Sequence, residues 1–398
     1  MQVRKVLPLV MLTLLLLGLN PAGCSRNGQT ELTLNATPPS PDAEDGSGTT
    51  PRQQNLLISF IGDIMAHDMN FERPPYENIY AAVKDSFLKD DLTFGNLEFP
   101  VVPELPMSSY PLFNNHLPYV LAAFSAGIDV FACANNHATD QGGNGVIRTF
   151  EVLQELQYQK GLYFSGISKE AGSPWAFSEI RRNGFKIGFI AITEFLNSYA
   201  GKDYVYLVDY TNTEQKDRFL SFIESARNSY DLIIVSVHGG TEYSRYPETY
   251  KKDFFRRLTA AGANIVWGHH PHVLQPWELV KEDGVNRLIM YSTGNFISGQ
   301  IWFLDPANPD PVRRYTGDSI IMQAMAGRLS DGRVSILSVT PVFTSNYKDP
   351  EKGMVVVPIE TLISAEKIPV TWRTFYAEKY LETRRVMQNH QDLHNFPQ

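Results

Sequence analysis

The sequence predicts an α/β protein in which helices cover the faces of a β-sheet. Apolar, strand-like runs alternate with helical segments from residue 55 onward, which is the order typical of that class. The chain is 43% hydrophobic and 20% charged, which suits a globular protein with a sizeable core. Several strand-like runs end in Asp, Asn, Glu or His, as expected where ligands bind at the carboxyl ends of strands.

The predicted elements follow one another in a regular order. The first strands are "NLLISFIGDIM", which begins at Asn55, and the short apolar run "DLTFGNLEF". The helix "PYVLAAFSAG", the strand "IDVFACANNH" and the amphipathic helix "GVIRTFEVLQELQ" come next, the last with Val146, Phe150, Leu153 and Leu156 on one face. Four further strands are "KIGFIAIT", "YDLIIVSVHGG", "ANIVWGHHPH" and "NRLIMYSTGNF". The helices "EQKDRFLSFIESAR" and "ETYKKDFFRRLTAAG" follow the first and second of these four.

The pattern changes in the last part of the chain. Between Ser319 and Pro358 the runs "SIIMQAMAG", "RVSILSVTPVF" and "MVVVPI" are closely spaced, which predicts antiparallel pairs. From Glu360 to Gln398 the sequence predicts a helical tail with a frayed end. We therefore expect one domain over residues 55–345 and a C-terminal strand and helical extension over residues 346–398.

The N-terminal residues carry a targeting pattern. Residues 1–24 have two basic residues, an apolar run shorter than the roughly 20 residues of a membrane span, and small residues before Cys24. This predicts a signal peptide of lipoprotein type with Cys24 lipidated; plain secretion or an uncleaved anchor are the alternatives. Residues 25–54 are rich in Pro, Gly, Ser and Thr, which predicts a disordered tether. We expect a membrane-anchored lipoprotein of the cell envelope that faces outside the cytoplasm.

Composition excludes several classes of function. The formal net charge is −8 and there is no block of Lys or Arg, so we expect no nucleic-acid partner. Of the two cysteines, Cys133 lies in an apolar run and predicts a packed core thiol, so a structural disulfide is not expected. The chain has neither a P-loop nor a Gly-x-Ser-x-Gly elbow, so nothing supports ATP use or serine hydrolysis.

Polar residues at the strand ends form the candidate site. They are Asp63, Asn96, Glu98, Asn136, His137, His238, His269, His270 and His272. Each alone has a structural alternative as a turn or cap residue. Together they supply the mixed nitrogen and oxygen ligands that suit Mn, Fe or Zn better than Ca or Mg. His116, His390 and His394 lack this placement, and we expect structural or solvated roles for them.

Six sequence blocks, in this order, identify a family resemblance. The blocks "FIGDIMAHD", "GNLEFP", "ANNHATDQG", "VHGGTEY", "GHHPHVLQP" and "YSTGNF" together resemble the CapA family of capsule synthesis, also called the poly-γ-glutamate biosynthesis family. The resemblance covers roughly residues 55 to 345. The family is a branch of the calcineurin-like metallophosphatases. It therefore implies a four-layer sandwich of two β-sheets flanked by helices, with a two-metal site between loops.

The resemblance also implies roles for individual residues. Asp63 and His272 correspond to ligands of the first metal, Glu98 to a carboxylate that bridges both metals, and Asn136, His238 and His270 to ligands of the second. Asn96 is the less favoured bridging residue, and His137 corresponds to the general acid. If the strand continues through "GHHPH", His270 and His272 share one face and His269 faces away as a supporting residue. Glu242, Tyr243 and Arg245 follow His238 and either contact substrate or form a solvated loop face.

Two departures from the metallophosphatase pattern bear on the number of metals. Met65 stands where the pattern has a histidine, and a thioether is a poor ligand for Mn, Fe or Zn. His67 substitutes for that histidine only if the strand continues. Glu98 is one methylene longer than the usual bridging aspartate, which changes the metal spacing. We therefore expect one or two divalent ions.

Three functions are compatible with this sequence. The first is a cell-surface, metal-dependent hydrolase of poly-γ-glutamate or related capsule synthesis. The second is a generic metallophosphoesterase on the same fold, acting on phosphoester substrates. The third is a non-catalytic, lipid-tethered subunit that guides an anionic polymer in a capsule synthesis complex. The capsule role rests on the resemblance alone, because a fold does not fix a function.

Overall fold

The computed structural model describes residues 55–301 and 304–388. The predicted signal peptide, Cys24, the tether, His390 and His394 lie outside these residues. Within the described ranges, thirteen strands form two mixed sheets, one of seven strands and one of six. This confirms the predicted α/β class.

The strands that build the two sheets are β1 (Asn55–Ile64), β2 (Leu92–Leu97), β3 (Val130–Ala132), β4 (Tyr163–Ser165), β5 (Ser178–Arg182), β6 (Phe185–Thr193), β7 (Leu232–His238), β8 (Ile265–His269), β9 (Leu274–Glu282), β10 (Val285–Thr293), β11 (Asp318–Arg328), β12 (Val334–Asp349) and β13 (Gly353–Pro358). The helices are α1 (Asp68–Phe71), α2 (Lys84–Phe87), α3 (Leu117–Ser125), α4 (Gly142–Lys160), α5 (Thr213–Ala226), α6 (Thr249–Ala261), α7 (Ile359–Ser364) and α8 (Val370–Gln388). Short 3₁₀ turns lie at Tyr76–Ile79 and Lys202–Tyr204.

Parallel strands form the centre of each sheet. The first sheet has the order β13-β12-β11-β1-β2-β3-β4, with β1 to β4 parallel and β11 to β13 antiparallel. The second has the order β5-β6-β7-β8-β10-β9, with antiparallel pairs only at its two edges. The predicted antiparallel pairing of the last strands is confirmed. The sequence analysis missed β4, β5 and β9, of which β4 has only three residues.

Aromatic side chains fill the space between the two sheets. The ring of Trp267 on β8 lies 5.5 Å from Phe60 on β1 and 6.2 Å from Phe94 on β2, between ring centroids. Phe219 on α5 and Phe254 on α6 pack against the other face of the second sheet. Helices α3 and α4 belong to the main core around the first sheet. Two sheets flanked by helices are therefore confirmed.

The C-terminal part of the chain completes the first sheet. Strand β12 runs through residues 345 and 346, where the sequence analysis placed a boundary, and β13 pairs with it. Tyr376 on α8 packs against Val355 and Val357 of β13 in a small separate core. Within residues 55–301 and 304–388, no helix combines the length and the apolar character that a membrane crossing requires.

Strand register brings polar residues to the carboxyl edges of both sheets. Asp63 on β1 pairs with Asn96 on β2, and His238 on β7 pairs with His269 on β8. Gly62 allows β1 to approach the end of β10, because a Cβ atom at this position would lie only 1.9 Å from the carbonyl oxygen of Gly294. The Asp63 amide donates to that same oxygen at 2.9 Å. The polar edges of the two sheets therefore meet around Asp63.

Candidate metal centre

Asp63, Asn96 and Glu98 form the buried floor of the site. All three side chains are 0% exposed, although two of them are carboxylates. Burying a carboxylate is costly unless it is paired, hydrogen-bonded or bound to a metal. Burial, with the nearby charge of Asp63 second, raises the pKa of Glu98 well above its ordinary value. The floor therefore places two acidic groups so close together that Glu98 favours its neutral form unless a cation is bound.

The side-chain amide of Asn96 lies where three acceptors converge. Its nitrogen is 2.9 Å from Asp63 Oδ1, 3.2 Å from Glu98 Oε2 and 3.3 Å from His238 Nδ1. An amide nitrogen has two hydrogens, so Asn96 can donate to at most two of the three. Asn96 Oδ1 itself has no hydrogen-bond partner within the described ranges. Two acidic groups and an imidazole thus surround one weak donor.

Histidines of the "GHHPH" segment hold Asp63. His272 Nδ1 lies 3.1 Å from Asp63 Oδ2 and 2.9 Å from Asn295 Oδ1, and His269 Nδ1 lies 3.2 Å from Asp63 Oδ1. Burial by itself would raise the pKa of Asp63, but His269 and His272 outweigh it and hold that pKa well below its ordinary value. Burial also opposes protonation of His272, yet the hydrogen bond to Asp63 raises its pKa. These contacts favour an ionised Asp63.

The strand geometry predicted for this segment is wrong. Strand β8 ends at His269, and His270 and His272 adopt left-handed backbone angles, φ 90° and φ 57°. Such angles cost a non-glycine residue about 1 to 3 kcal/mol and occur often at functional sites. His269 does not face away, since its ring contacts Asp63. The turn, and not strand alternation, brings His270 and His272 into the site, with ring centroids 5.7 Å apart.

His238 links the floor to the loop that follows β3. His238 Nε2 lies 2.8 Å from Asn136 Oδ1 and 3.7 Å from Glu98 Oε1. Its ring centroid lies 5.1 Å from that of His270. Burial lowers the pKa of both rings well below the ordinary value. The next largest cause is the charge of a neighbouring ring, which is His270 in the case of His238 and His272 in the case of His270. Both imidazoles are therefore neutral, which is the form that binds a metal.

His137 is held by a buried carboxylate. Its Nδ1 lies 2.7 Å from Asp140 Oδ2, which also accepts the backbone N–H of Phe113 at 2.8 Å. The ring packs edge-on against Phe113, 4.7 Å between centroids. The side-chain nitrogen of Asn197 approaches both ring nitrogens at 3.4 Å. Asp140 thus fixes the ring orientation and places the Nδ1 proton.

The loop after β7 contributes an exposed carboxylate. Single ligand atoms of Glu242, His270 and His272 lie within 4.8 Å of one another, as do those of Asp63, Glu98 and His272. Glu242 therefore joins the candidate ligands, whereas the sequence analysis gave it a supporting or substrate-contacting role. Arg245 points elsewhere, since it donates to Thr383 on α8 at 3.1 Å.

Met65, which stands where the metallophosphatase pattern has a histidine, and His67, its possible substitute, both lie apart from these ligand groups. Met65 is buried, and its backbone carbonyl accepts a hydrogen bond from Tyr119 at 3.0 Å. β1 ends at Ile64, so the strand does not reach His67. His67 Nδ1 accepts the backbone N–H of Gly299 at 3.0 Å, and burial lowers its pKa to about 3. Neither belongs to the two groups that could hold an ion among the described residues.

The residues present fit a divalent ion. Glu98 Oε1, Asn96 Oδ1 and His270 Nδ1 are buried without a hydrogen-bond partner in the described part of the chain. Such orphaned acceptors are rare in folded proteins unless water or an ion satisfies them. Carboxylate, amide and imidazole donors together suit Mn, Fe or Zn. The site is therefore a candidate metal centre.

Three supporting residues were missed by the sequence analysis. Asn295 lies after β10 within the "YSTGNF" block, so the rule of polar residues at strand ends would have found it. Asp140 follows His137 at a spacing of three in "ANNHATDQG". Lys251 on α6 is fully buried and donates to the Gly239 carbonyl at 2.7 Å, and burial lowers its pKa to about 8. No local pattern marks Lys251, because its role depends on the packing of α6.

Fold and site together define an α/β sandwich protein with a buried candidate metal centre. A profile of the family described as "Bacterial capsule synthesis protein PGA_cap" matches residues 57–300. Since this match spans more than half of the chain, the chain belongs to that family.

Proteins similar to this chain include two curated relatives and one solved structure. The capsule biosynthesis protein CapA of Bacillus anthracis is 27% identical over 308 residues, 73% of this chain and 67% of the relative. The PGA biosynthesis protein CapA of Bacillus subtilis (strain 168) is 28% identical over 314 residues, 75% of each chain. The crystal structure of a hypothetical protein from Thermus thermophilus is 17% identical, with a TM-score of 0.42, and covers 72% of this chain and 98% of that one.

Proposed function

We propose that this chain is a metal-dependent hydrolase of bacterial capsule synthesis that acts on poly-γ-glutamate or a related acidic polymer. The observation that carries the proposal is the group of buried, orphaned donor atoms on Glu98, Asn96 and His270 around an ionised Asp63. Family membership and the two CapA relatives support the capsule role. The metal, the hydrolysis and the substrate are the parts that experiment must test.

The chain's own residues can be given roles in this chemistry. Asp63, Glu98 and His272 would hold one ion, and His238, His270 and Asn136 a second, with Glu242 beside His270. A divalent metal, when bound, polarises a substrate oxygen and makes water more acidic. His137 would donate a proton to the leaving group, a contribution of about 10² to 10⁴-fold in such reactions. Asp140 holds the His137 ring in position through Nδ1 at 2.7 Å.

We also propose that the protein is a lipoprotein of the cell envelope, anchored by Cys24 and facing outside the cytoplasm. The basic start, apolar run and "AGC" ending of residues 1–24 support this location. A tether of residues 25–54 would let the domain reach a polymer at the membrane. Labelling with a radioactive fatty acid, compared between wild type and Cys24→Ala, tests the anchor.

Metal content tests the centre directly. Purified full-length wild type and His270→Ala are loaded with Mn, Fe or Zn and measured by elemental mass spectrometry. We expect one or two equivalents in the wild type and a loss of at least one in the variant. His116→Ala is the matched control, because His116 bonds to the Leu105 carbonyl at 2.7 Å, away from the candidate ligands. A wild type that takes up no metal would refute the metal-dependent hydrolase.

Substrate choice separates hydrolysis of the polymer from the alternatives. Release of fragments from poly-γ-glutamate is compared with release of nitrophenol from p-nitrophenyl phosphate. We expect cleavage of the polymer that is lost in His137→Ala while metal content stays unchanged. Cleavage of the phosphoester alone would favour the phosphoesterase function. A metal-loaded chain that cleaves neither substrate would favour the non-catalytic subunit.

A further inference from the structure

Two tyrosines from different loops stand beside the candidate catalytic and metal-binding histidines. Tyr110, between β2 and α3, is 70% exposed, and its ring centroid lies 6.4 Å from that of His137. Tyr243, after β7, lies 6.4 Å from His272. The Tyr243 N–H donates to the Pro271 carbonyl at 2.7 Å, and its backbone angle is left-handed, φ 61°. Tyr243 is thus fixed to the turn that carries His270 and His272.

An arginine covers the Tyr243 ring. The guanidinium carbon of Arg313 lies 5.2 Å from the Tyr243 ring centroid. The next arginine is directed the other way, since Arg314 lies 3.7 Å from Glu382 on α8. Arg245 is also occupied, stacked at 3.8 Å on Tyr315 and bonded to α8. Of these three arginines, Arg313 alone faces the Tyr243 side of the site.

Arg313 has a guanidinium without a close carboxylate. In the described part of the chain no carboxylate lies within 4.0 Å of it, whereas Arg314 has Glu382. Asp310 accepts the backbone N–H of Arg313 at 3.1 Å and attracts its side chain only at longer range. An arginine stacked on an aromatic ring is already oriented, so its planar fork can bind a carboxylate with little further loss of freedom.

The position of Arg313 relative to the candidate metal ligands indicates which kind of anionic substrate it would bind. Within the described residues it contacts the Tyr243 ring and none of the candidate metal ligands. Arg313 therefore lies beside the ligands, on the His272 side of the site, where it can meet a second charge further along the substrate than the group that the ligands would receive. A polymer of acidic residues carries such a charge on every unit, while a simple phosphomonoester does not. The geometry thus favours a carboxylate-bearing polymer.

We propose that Arg313, stacked on Tyr243, binds a carboxylate of the substrate and determines specificity for an acidic polymer. The inference rests on the proposed function, because it assumes that the metal centre receives such a polymer. Arg313 lies outside residues 57–300, so the match to the family profile assigns it no role. It is a substrate-binding residue on the His272 side of the site, and Tyr243 positions it.

Equilibrium binding tests the assignment. Calorimetry with Mn²⁺ present measures Kd for γ-linked tetraglutamate and for the same tetramer with its α-carboxylates converted to amides. The full-length chain carries His137→Ala so that no turnover occurs. Arg313→Gln should raise the Kd for tetraglutamate about 10-fold, the loss expected for a charge-assisted hydrogen bond, and change the Kd for the amide less than about twofold. Arg313→Lys, which keeps the charge, should fall between.

Arg314→Gln is the matched control, because it removes the same charge one residue away from a side chain directed at α8. Its Kd for tetraglutamate should stay within about twofold of the parent, with an unchanged circular dichroism spectrum. Equal weakening by both substitutions, equal effects on both tetramers, or no effect of Arg313→Gln would overturn the proposal. The proposal would also be overturned if Arg313→Gln changed the Kd for inorganic phosphate but not the Kd for tetraglutamate. If tetraglutamate binds through Arg313 but the chain with His137 intact cleaves neither it nor the polymer, the hydrolase is refuted and this inference stays intact.

Discussion

The buried ion pair between Asp318 on β11 and Lys379 on α8 gives the sharpest stability prediction. Lys379 Nζ lies 2.6 Å from Asp318 Oδ1, and the two side chains are 1% and 4% exposed. Ser345 Oγ donates to the same oxygen at 2.7 Å. Burial raises the pKa of Asp318 and lowers that of Lys379, and in each case the partner's charge opposes the shift without cancelling it. Desolvation therefore costs the pair at least as much as its attraction returns.

The magnitude follows from the distance. With an effective dielectric constant of about 20, two charges 2.6 Å apart attract by about 6 kcal/mol before desolvation, which costs several kcal/mol for each ion. Lys379→Met alone leaves Asp318 buried without its cation, so we expect a loss of about 3 to 5 kcal/mol. The double variant Lys379→Met, Asp318→Asn removes both charges and keeps the acceptor for Ser345. Its stability should return to within about 1 kcal/mol of wild type.

Urea unfolding followed by tryptophan fluorescence measures these free energies for wild type, both single variants and the double variant. Trp372 lies on α8 and reports on that helix. A coupling energy of several kcal/mol between the two substitutions is the expected result. If the double variant is as unstable as Lys379→Met, or if Lys379→Met costs less than about 1 kcal/mol, the reasoning from burial is refuted.

Two further predictions concern the site and the response to pH. Asp140→Asn should lower kcat for the polymer about 100-fold or more without loss of metal, because His137 loses the carboxylate that holds Nδ1 at 2.7 Å. An unchanged kcat would show that the reaction does not depend on this contact. Burial raises the pKa of Asp90 to about 7, so the folded state favours its protonated form, and the penalty grows as pH rises from about 4 to about 7. Asp90→Asn should therefore raise the free energy of unfolding at pH 8 by roughly 1 kcal/mol, after allowing for solvent screening, and this gain should appear as a higher Tm. At pH 4 the substitution should leave Tm unchanged. Calorimetry at both pH values checks this, and an equal gain at pH 4 would contradict it.

Most strands were predictable because apolar runs are a local signal. The runs that became β1, β2, β6, β7 and β10 are long or continuously apolar, and each forms a buried strand. β9 was missed because "LQPWELVKE" contains a proline and alternates with charged residues at its far end. The proline is tolerated because β9 is an edge strand. Edge position is a property of the whole sheet, so no local pattern reveals it.

The candidate ligands were predictable by type, but their geometry was not. Polar residues at strand ends pointed to Asp63, Glu98 and His238, and the fold brings all three together without exposing any of them. The turn after His269 was missed because the sequence analysis gave no weight to Pro271, which cannot continue a central strand. The left-handed angles themselves are uncommon for residues other than glycine. Arg313 could not be linked to Tyr243, since 70 residues and the strands β8, β9 and β10 separate them in the chain.

The place of Asp63 in the fold also sets the order in which the site can form. The Asp63 amide donates to the Gly294 carbonyl at 2.9 Å, the Ile297 amide donates to the Asp63 carbonyl at 3.0 Å, and β1 pairs with β11. The first candidate ligand in the chain is thus fixed by segments more than 200 residues further on. Contacts of such sequence separation form slowly, since a long loop must close first. During synthesis the site would remain open until Ile297 and strand β11 had emerged, so assembly of the centre would follow that of the segments before them.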